Sequence, residues 1–303
     1  MGAAPSTTSV QVHLARPVDT AAARMMLPEA FTASPAPVLF AARKVGVPSP
    51  LGVAALSCAT IGRDPDGFRF ALTVAPPYRG RGVGRALLEA VVAECRRWGV
   101  RGLWSWQRVA DGSGADFLRA LGFERVKRFL HFEADLSRLG PSIRPARDRV
   151  ARTGGVPANV RVVALPEAPV DAVALLHQRH LGGDPSVLRA RIAGHGPDPF
   201  CREHSHVLMA GDDVAGTILS SCDGPVSNVE AYVVDSGWRR SRAGVLLAEA
   251  TLSGGLATGI THIRFACWED VQYTMKLAAR AGGRVTATEG QYVLDLEPAA
   301  RRG

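Results

Sequence analysis

The sequence predicts an α/β (α+β) protein of two tandem domains of one design, each a mixed, mostly antiparallel sheet flanked by helices. Three observations carry this. An ungapped internal repeat runs at an offset of 160 residues, which is the mark of a duplicated unit. Short apolar or alternating runs bounded by turn residues recur in each copy, as strands require. In each copy a long helical pattern follows the third of these runs.

The repeat places residues 74–136 on 234–296. It pairs Val74 with Val234, Arg79 with Arg239, Gly84 with Gly244, Leu87 with Leu247, Glu89 with Glu249 and Ala90 with Ala250. Further on, Gly99 meets Gly259, Gly122 meets Gly282, Asp135 meets Asp295 and Leu136 meets Leu296. Upstream, GVAALSC (52–58) lies on GTILSSC (216–222) at an offset of 164, so one loop differs in length. Between the copies, residues 140–160 hold three prolines and several arginines and read as a linker without hydrophobic period. The expected division is therefore residues 1–140, a linker over 141–157, and a second domain over 158–303.

Taken in order, 38–44, 52–60 and 68–74 are apolar or alternating runs and predict three successive strands. From Gly82 to Trp98, apolar Val83, Ala86, Leu87, Ala90 and Val91 oppose Arg85, Glu89, Glu94 and Arg96, which predicts an amphipathic helix stopped by Gly99. A strand near 103–107, a helix over 114–121 and a strand over 125–132 complete the copy. The second copy predicts strands near 206–210, 214–221, 228–234 and 263–267, with helices near 242–255 and 271–281.

Composition narrows the class. Hydrophobic residues at 47% and charged residues at 21% fit a globular protein and exclude disordered, collagen-like and coiled-coil chains. No run approaches the ~20 apolar residues of a membrane helix, and the start shows no signal-peptide pattern; the expectation is a cytoplasmic protein with no membrane partner. Five cysteines, Cys58, Cys95, Cys201, Cys222 and Cys267, form no Cys-x-x-Cys pair and read as reduced core thiols, with no metal site expected. The net charge of +8 comes from arginine far more than lysine. Charge of this sign suits nucleic acid or a phosphorylated small molecule. The arginines are dispersed or held in one loop and no nucleic-acid motif occurs, so no nucleic-acid partner is expected.

That loop is VAPPYRGRGVGRALL, residues 74–88. A strand ends in a Pro-Pro turn, and Gly80, Gly82 and Gly84 open the long helix. Glycines let backbone approach an anion, and the helix start adds partial positive charge, so a pyrophosphate is the ligand this pattern suits. Arg79, Arg81 and Arg85 add charge-assisted donors. The nucleotide-binding loop ending Gly-Lys-Ser/Thr is excluded because Gly84 is followed by Arg85 and Ala86, and Gly-x-Gly-x-x-Gly does not fit.

The segment resembles the acetyl-CoA loop of the GNAT N-acetyltransferase superfamily, Arg/Gln-x-x-Gly-x-Gly/Ala, at Arg79, Gly82 and Gly84. FLRALGFERV is similar to the family's downstream Leu-Gly-Phe element. Over both copies the chain resembles the two-lobed type of mycothiol synthase-like actinobacterial acetyltransferases. The resemblance implies acetyl transfer from acetyl-CoA, as co-substrate, to a primary amine of a small molecule. It implies that the strand around Leu72 to Val74 bonds the pantetheine arm, that Arg79, Gly80, Arg81, Gly82, Val83, Gly84 and Arg85 hold the pyrophosphate, and that Trp104 and Trp106 lie near the acyl end or simply pack.

Two departures qualify these expectations. In the second copy, VDSGWRRSRAGVLL puts Arg242 where the family has its first glycine, so this domain reads as degenerate. The family often sets a catalytic glutamate on the fourth strand; the repeat puts Glu230 there, opposite Phe70, and the first copy has none. The family tyrosine before Leu-Gly-Phe is replaced by Leu118 and Ala278. His131, Asp111 and Asp116 read as packing, capping or solvated groups. The alternative reading is a non-catalytic CoA-binding or assembly protein on a duplicated GNAT fold. Loops 22–36 and 180–203 are expected to line the acceptor site.

Overall fold

A computed structural model describes residues 10–32, 36–57, 67–153, 156–195, 198–239 and 243–296. The chain divides into two units. The first comprises the residues up to Arg128 together with those from Glu289 onward, and the second runs from Phe129 to Thr288. Neither boundary falls where the sequence placed it.

In the first unit, strand β1 (Gln11–Leu14) leads to helix α1 (Pro17–Met26) and a short 3-10 turn (Pro28–Thr32). Strands β2 (Val38–Arg43), β3 (Gly52–Ser57) and β4 (Gly67–Val74) then run antiparallel, with Gly52 opposite Val74. Helix α2 (Val83–Arg97) follows and buries Val83, Leu87, Leu88, Val91 and Cys95; each aliphatic side chain so covered contributes about 1.5–3 kcal/mol. Strand β5 (Gly102–Ser105) pairs parallel to β4, the short β6 (Val109–Ala110) follows, and helix α3 (Ser113–Ala120) packs Ala115 and Leu118 into the same core.

The second unit repeats the order. After β7 (Glu124–Asp135) and helix α4 (Leu136–Thr153) come β8 (Val160–Ala164), α5 (Val170–Leu181), α6 (Pro185–Ile192), β9 (His206–Ala210), β10 (Asp213–Asp223), β11 (Val226–Val234), α7 (Ala243–Ala257), β12 (His262–Trp268), α8 (Gln272–Arg280) and β13 (Arg284–Asp295). The strand order is β1-β2-β3-β4-β5-β13 in the first unit, with β6 also on β13, and β7-β12-β11-β10-β9-β8 in the second. No helix among the described residues is long and apolar enough to cross a membrane.

The two units exchange their closing strands. Gly102, Leu103 and Trp104 pair with Asp295, Leu294 and Val293, while His262, Ile263 and Arg264 pair with Asp135, Ala134 and Glu133. Leu296 N–H donates to Arg101 O (2.8 Å) just as Leu136 N–H donates to Thr261 O (2.9 Å). The register is the same in both, so the repeat is kept bond for bond while the partners are crossed.

Where the sequence read a linker over 141–157, helix α4 runs through Pro141 and Pro145. Leu136, Leu139, Ile143 and Val150 are buried in one cluster with Val245 and Leu252 of α7. That apolar stripe has helical spacing, and its burial outweighs two missing backbone donors. Asp135 accepts from Ser137 N (2.9 Å) and Ser137 Oγ (2.7 Å), which anchors the helix start and holds its carboxyl below the usual aspartate range.

Candidate active site

The candidate site is a fork in the first sheet. Strands β4 and β5 are in register from Gly67↔Gly102 to Phe70↔Ser105, and the last rung is Trp106 N–H to Phe70 O (2.7 Å). Strand β4 continues to Val74 while β5 stops, so beyond Phe70 one edge of β4 has no strand partner among the described residues.

Backbone polarity along β4 follows from two bonds. Phe70 O faces β5, whereas Ala75 N–H faces the other side and donates to Leu51 O (2.9 Å). Successive residues alternate, so the amides and carbonyls of Leu72 and Val74 point into the open fork. Val74 O accepts from Arg79 Nε (3.0 Å). The Val74 N–H and both backbone groups of Leu72 remain for a ligand.

The glycine loop closes the far end of the fork. Gly80 and Gly82 have φ of +70° and +82°, the left-handed region that glycine enters without strain. Gly82 caps α2 without any side-chain hydrogen bond, so the first-turn amides face outward. Val83 is buried as the first helical residue, and a Cβ on Gly84 would sit 3.4 Å from Phe117 of α3. Arg79, Arg81 and Arg85 are exposed, and no salt bridge engages them among the described residues. An unneutralised helix start with three guanidinium groups favours a di-anion. All the residues expected to hold acetyl-CoA, Leu72, Val74 and Arg79 to Arg85, thus lie along one strand end and one helix start.

Trp106 joins the apolar cluster of Ala23, Leu27, Val53 and Ala71 on the α1 side of the sheet. Leu118 is buried in the core with Tyr292 of the exchanged strand, whose hydroxyl lies beside the Arg119 guanidinium and raises its pKa. Asp111 and Asp116 form ion pairs with Arg125 (3.0 Å) and Arg119 (2.6 Å). His131 lies on β7 in the second unit, next to Phe129.

Glu230 lies elsewhere. In β10 and β11 the register runs Leu219↔Ala231, then Ser220↔Val229, so Glu230 is the extra residue of a β-bulge. Strands β3 and β4 have no such shift; Leu56↔Phe70 follows Ala55↔Ala71. Phe70 therefore matches Val229, and the expected match of Glu230 to Phe70 is corrected. The Glu230 carboxylate accepts two bonds from Arg191, both of 2.7 Å, and Arg191 lies 4.0 Å over the Phe200 ring. Burial pushes the Glu230 carboxyl up, but the Arg191 and Ser221 hydrogen bonds and the Arg191 charge outweigh it and leave the group below the usual glutamate range. A carboxylate held in this way is a poor base.

The second glycine loop differs as well. Arg240 to Arg242 lie outside the described residues, so the Arg242 reading gains no geometry. Two features the sequence reading missed stand beside it. Asp235, at the position of Ala75, is held ionised by Gly237 N–H at 3.2 Å, with Arg179 at 3.3 Å and His180 at 3.5 Å. A Cβ on Gly244 would meet the Tyr232 hydroxyl at 2.5 Å. Asp235 was visible in the ungapped alignment as a charge change from Ala75. Leu188 and Arg191, from the 180–203 segment, line a cavity of about 190 Å³ together with Ala174 and His177 of α5.

A forked sheet that ends at an uncapped, arginine-flanked helix start suits an extended ligand with an anionic end. The model of the acetyltransferase (GNAT) family matches residues 15–123, which lie within the N-terminal unit. Aminoglycoside N(6')-acetyltransferase type 1 from Stenotrophomonas maltophilia is 44% identical over 72 residues, which are 24% of this chain and 47% of that protein. The chain thus spans about half the length of this curated relative. Among solved structures, a conserved protein from Enterococcus faecalis V583 matches with a TM-score of 0.58 at 10% identity, covering 95% of this chain and 73% of the other. Eis1 from Mycobacterium abscessus matches with a TM-score of 0.57 at 12% identity, over 95% and 74% of the two chains. These two likenesses establish the fold over nearly the whole chain.

Proposed function

We propose that the protein is an acyl-CoA-dependent N-acyltransferase that moves an acetyl group from acetyl-CoA, bound in the N-terminal unit, to a primary amine of a small molecule. The observation that carries this reading is the fork beyond Phe70, with Leu72 and Val74 backbone groups along one side and the α2 start at its end. The aminoglycoside acetyltransferase relative supports a small polyamine as acceptor.

In this reading the amine nitrogen attacks the thioester carbonyl carbon, the new C–N bond forms, and the C–S bond breaks to release CoA thiolate. The amine's proton passes to solvent or to the departing sulfur. The N-terminal unit contributes position: the β4 edge holds the pantetheine amides, and the helix start and arginines fix the pyrophosphate. Placing two reactants in one orientation supplies much of the barrier reduction for such a step. By the resemblance, Leu118 stands where the family puts its acid, and strand β4 carries no carboxylate to act as base. Both favour one other reading, a CoA-binding protein without turnover.

The test mixes protein and acetyl-CoA with a panel of aminoglycosides and polyamines and follows free thiol release. Thiol release with formation of an acetylated amine is expected. Acetyl-CoA binding without release on any amine would support the non-catalytic reading, and no acetyl-CoA binding would remove both.

A further inference from the structure

The C-terminal unit brings together three soft ligands that no catalytic reading uses. Cys201 precedes β9, His204 lies in the turn that follows, and Cys222 ends β10; their candidate ligand atoms all lie within 4.8 Å of one another. The sequence reading took both cysteines as core thiols. Cys201 is only partly covered and Cys222 is exposed, so solvent and ions reach the cluster, while His204 is 2% exposed.

The surroundings hold these groups in place. Cys201 N–H donates to Ser220 O (2.7 Å), and Ser205 Oγ accepts from Ser220 N–H (3.0 Å), so the loop is pinned to β10. The Thr258 hydroxyl donates to Gly254 O (3.0 Å) and lies 2.8 Å from His204 Nε2. When that proton is given to Gly254 O or Gly255 O (3.2 Å), Thr258 Oγ1 accepts from Nε2–H. That fixes the imidazole tautomer and leaves Nδ1 with its lone pair, the arrangement that a second-sphere partner imposes on a metal-binding histidine. Glu203 adds a hard ligand, its Oε2 lying 3.3 Å from Cys201 Sγ.

We propose that Cys201, His204 and Cys222, with Glu203 as fourth ligand, form a structural Zn²⁺ site in the C-terminal unit. Two thiols and an imidazole select zinc over the harder divalent ions. Tetrahedral zinc with bonds of ~2.0–2.3 Å needs donor atoms roughly 3.3–3.8 Å apart, so Cys201, His204 and Cys222, within 4.8 Å of one another, close by up to about 1.5 Å, and the Glu203 side chain swings in from beside Cys201. Each thiol releases its proton to water as its Zn–S bond forms, and no oxidant takes part. The ion ties the 198–205 loop to the end of β10. The same loop supplies Asp198 O to Arg191 Nε (2.8 Å) and Phe200 beneath the Arg191 guanidinium, so the site steadies the Arg191–Glu230 pair.

The experiment uses the full chain, reduced, stripped with a chelator and titrated with Co²⁺ and then Zn²⁺. One equivalent of Co²⁺ should give a thiolate-to-cobalt charge-transfer band that Zn²⁺ bleaches, and Zn²⁺ should raise the melting temperature. Cys201→Ser and Cys222→Ser should each abolish the band, Thr258→Val should weaken affinity about tenfold or more, and Cys95→Ser should change neither readout. On the wild-type chain alone, stoichiometric Zn²⁺ should protect two thiols from a thiol reagent, a readout that does not depend on variants folding. No band and no protection, a band that survives Cys222→Ser, or a Cys201–Cys222 disulfide that takes up no metal after reduction would each overturn the site. Acetyl-CoA titration of the same samples reports on the acyltransferase reading separately.

Discussion

Arg79 and Arg239 make the same bond, each donating Nε to the carbonyl that ends its strand, Val74 O or Val234 O, at 3.0 Å. Gly52 and Gly216 likewise sit where a Cβ would meet a neighbouring strand carbonyl at 2.8 Å, and Gly99 and Gly259 both take positive φ. The residues that face a ligand are not shared. The first unit has Ala75 after its strand and an unobstructed Gly82; the second has Asp235 there and Tyr232 against Gly244. Among the described residues, then, the devices that hold the fold are the same in both units, and the features suited to a pyrophosphate stand in the first. Arg239 keeps its bond to Val234 O beside the Asp235 carboxylate, a charge that opposes an anion.

The largest expected effect separates the two loops. Gly82→Val forces a β-branched residue into φ +82°, at a cost of about 1–3 kcal/mol, and sets a side chain in the anion's path. Calorimetry should show acetyl-CoA affinity falling tenfold to a hundredfold or more, whereas Gly244→Ala should leave it unchanged. Equal losses in both variants, or none, would break the comparison. A stoichiometry near one acetyl-CoA per chain belongs to the same expectation, and two equivalent sites would contradict it.

Next in size is the arginine pair. Arg79→Ala should weaken acetyl-CoA binding several-fold, and the difference from wild type should shrink as salt screens the exposed charge. Arg239→Ala should not change binding. Asp235→Ala sharpens the point from the other side: if the carboxylate is what bars the second loop, weak binding at a second site should emerge only in this variant.

The smallest effect is expected at Glu230. Glu230→Gln should alter turnover less than Gly82→Val does, and it should cost about 1 kcal/mol of stability or less, since the carboxylate is partly exposed. The folded carboxyl lies below its unfolded value of about 4.3, so the pair's contribution is present above that value and lost as pH falls through the folded one. Melting curves of wild type and variant should differ at neutral pH, begin to approach each other below about pH 4.3 and converge once the pH is below the folded carboxyl's own, lower pKa. Abolished turnover in Glu230→Gln with acetyl-CoA binding intact would move catalysis to the C-terminal unit.

By itself the sequence determined the repeat, the central strands and helices of both copies and the glycine loop, because each is written in local terms: period-two alternation, a helical stripe, glycines at positive φ. The residues proposed to hold acetyl-CoA are nearly contiguous from Leu72 to Arg85, so their grouping is written in local terms too. Only tertiary structure decided which sheet each closing strand joins. Residues 129–135 and 289–295 stand in the same place of the repeat and pair in the same register, so no local pattern distinguishes a strand that stays from one that crosses. The bulge at Glu230 was hidden because one extra residue in a strand leaves an ungapped alignment intact on its far side, yet it removes the carboxylate's counterpart and turns it toward Arg191. Helix α4 formed through two prolines because Leu139, Ile143 and Val150 found α7 to cover them, and burial of that stripe exceeds what propensity forbids. The grouping of Cys201, His204 and Cys222 is of the same kind: the two cysteines are neighbours only because a loop folds back on the end of β10, a closeness that spacing along the chain does not encode.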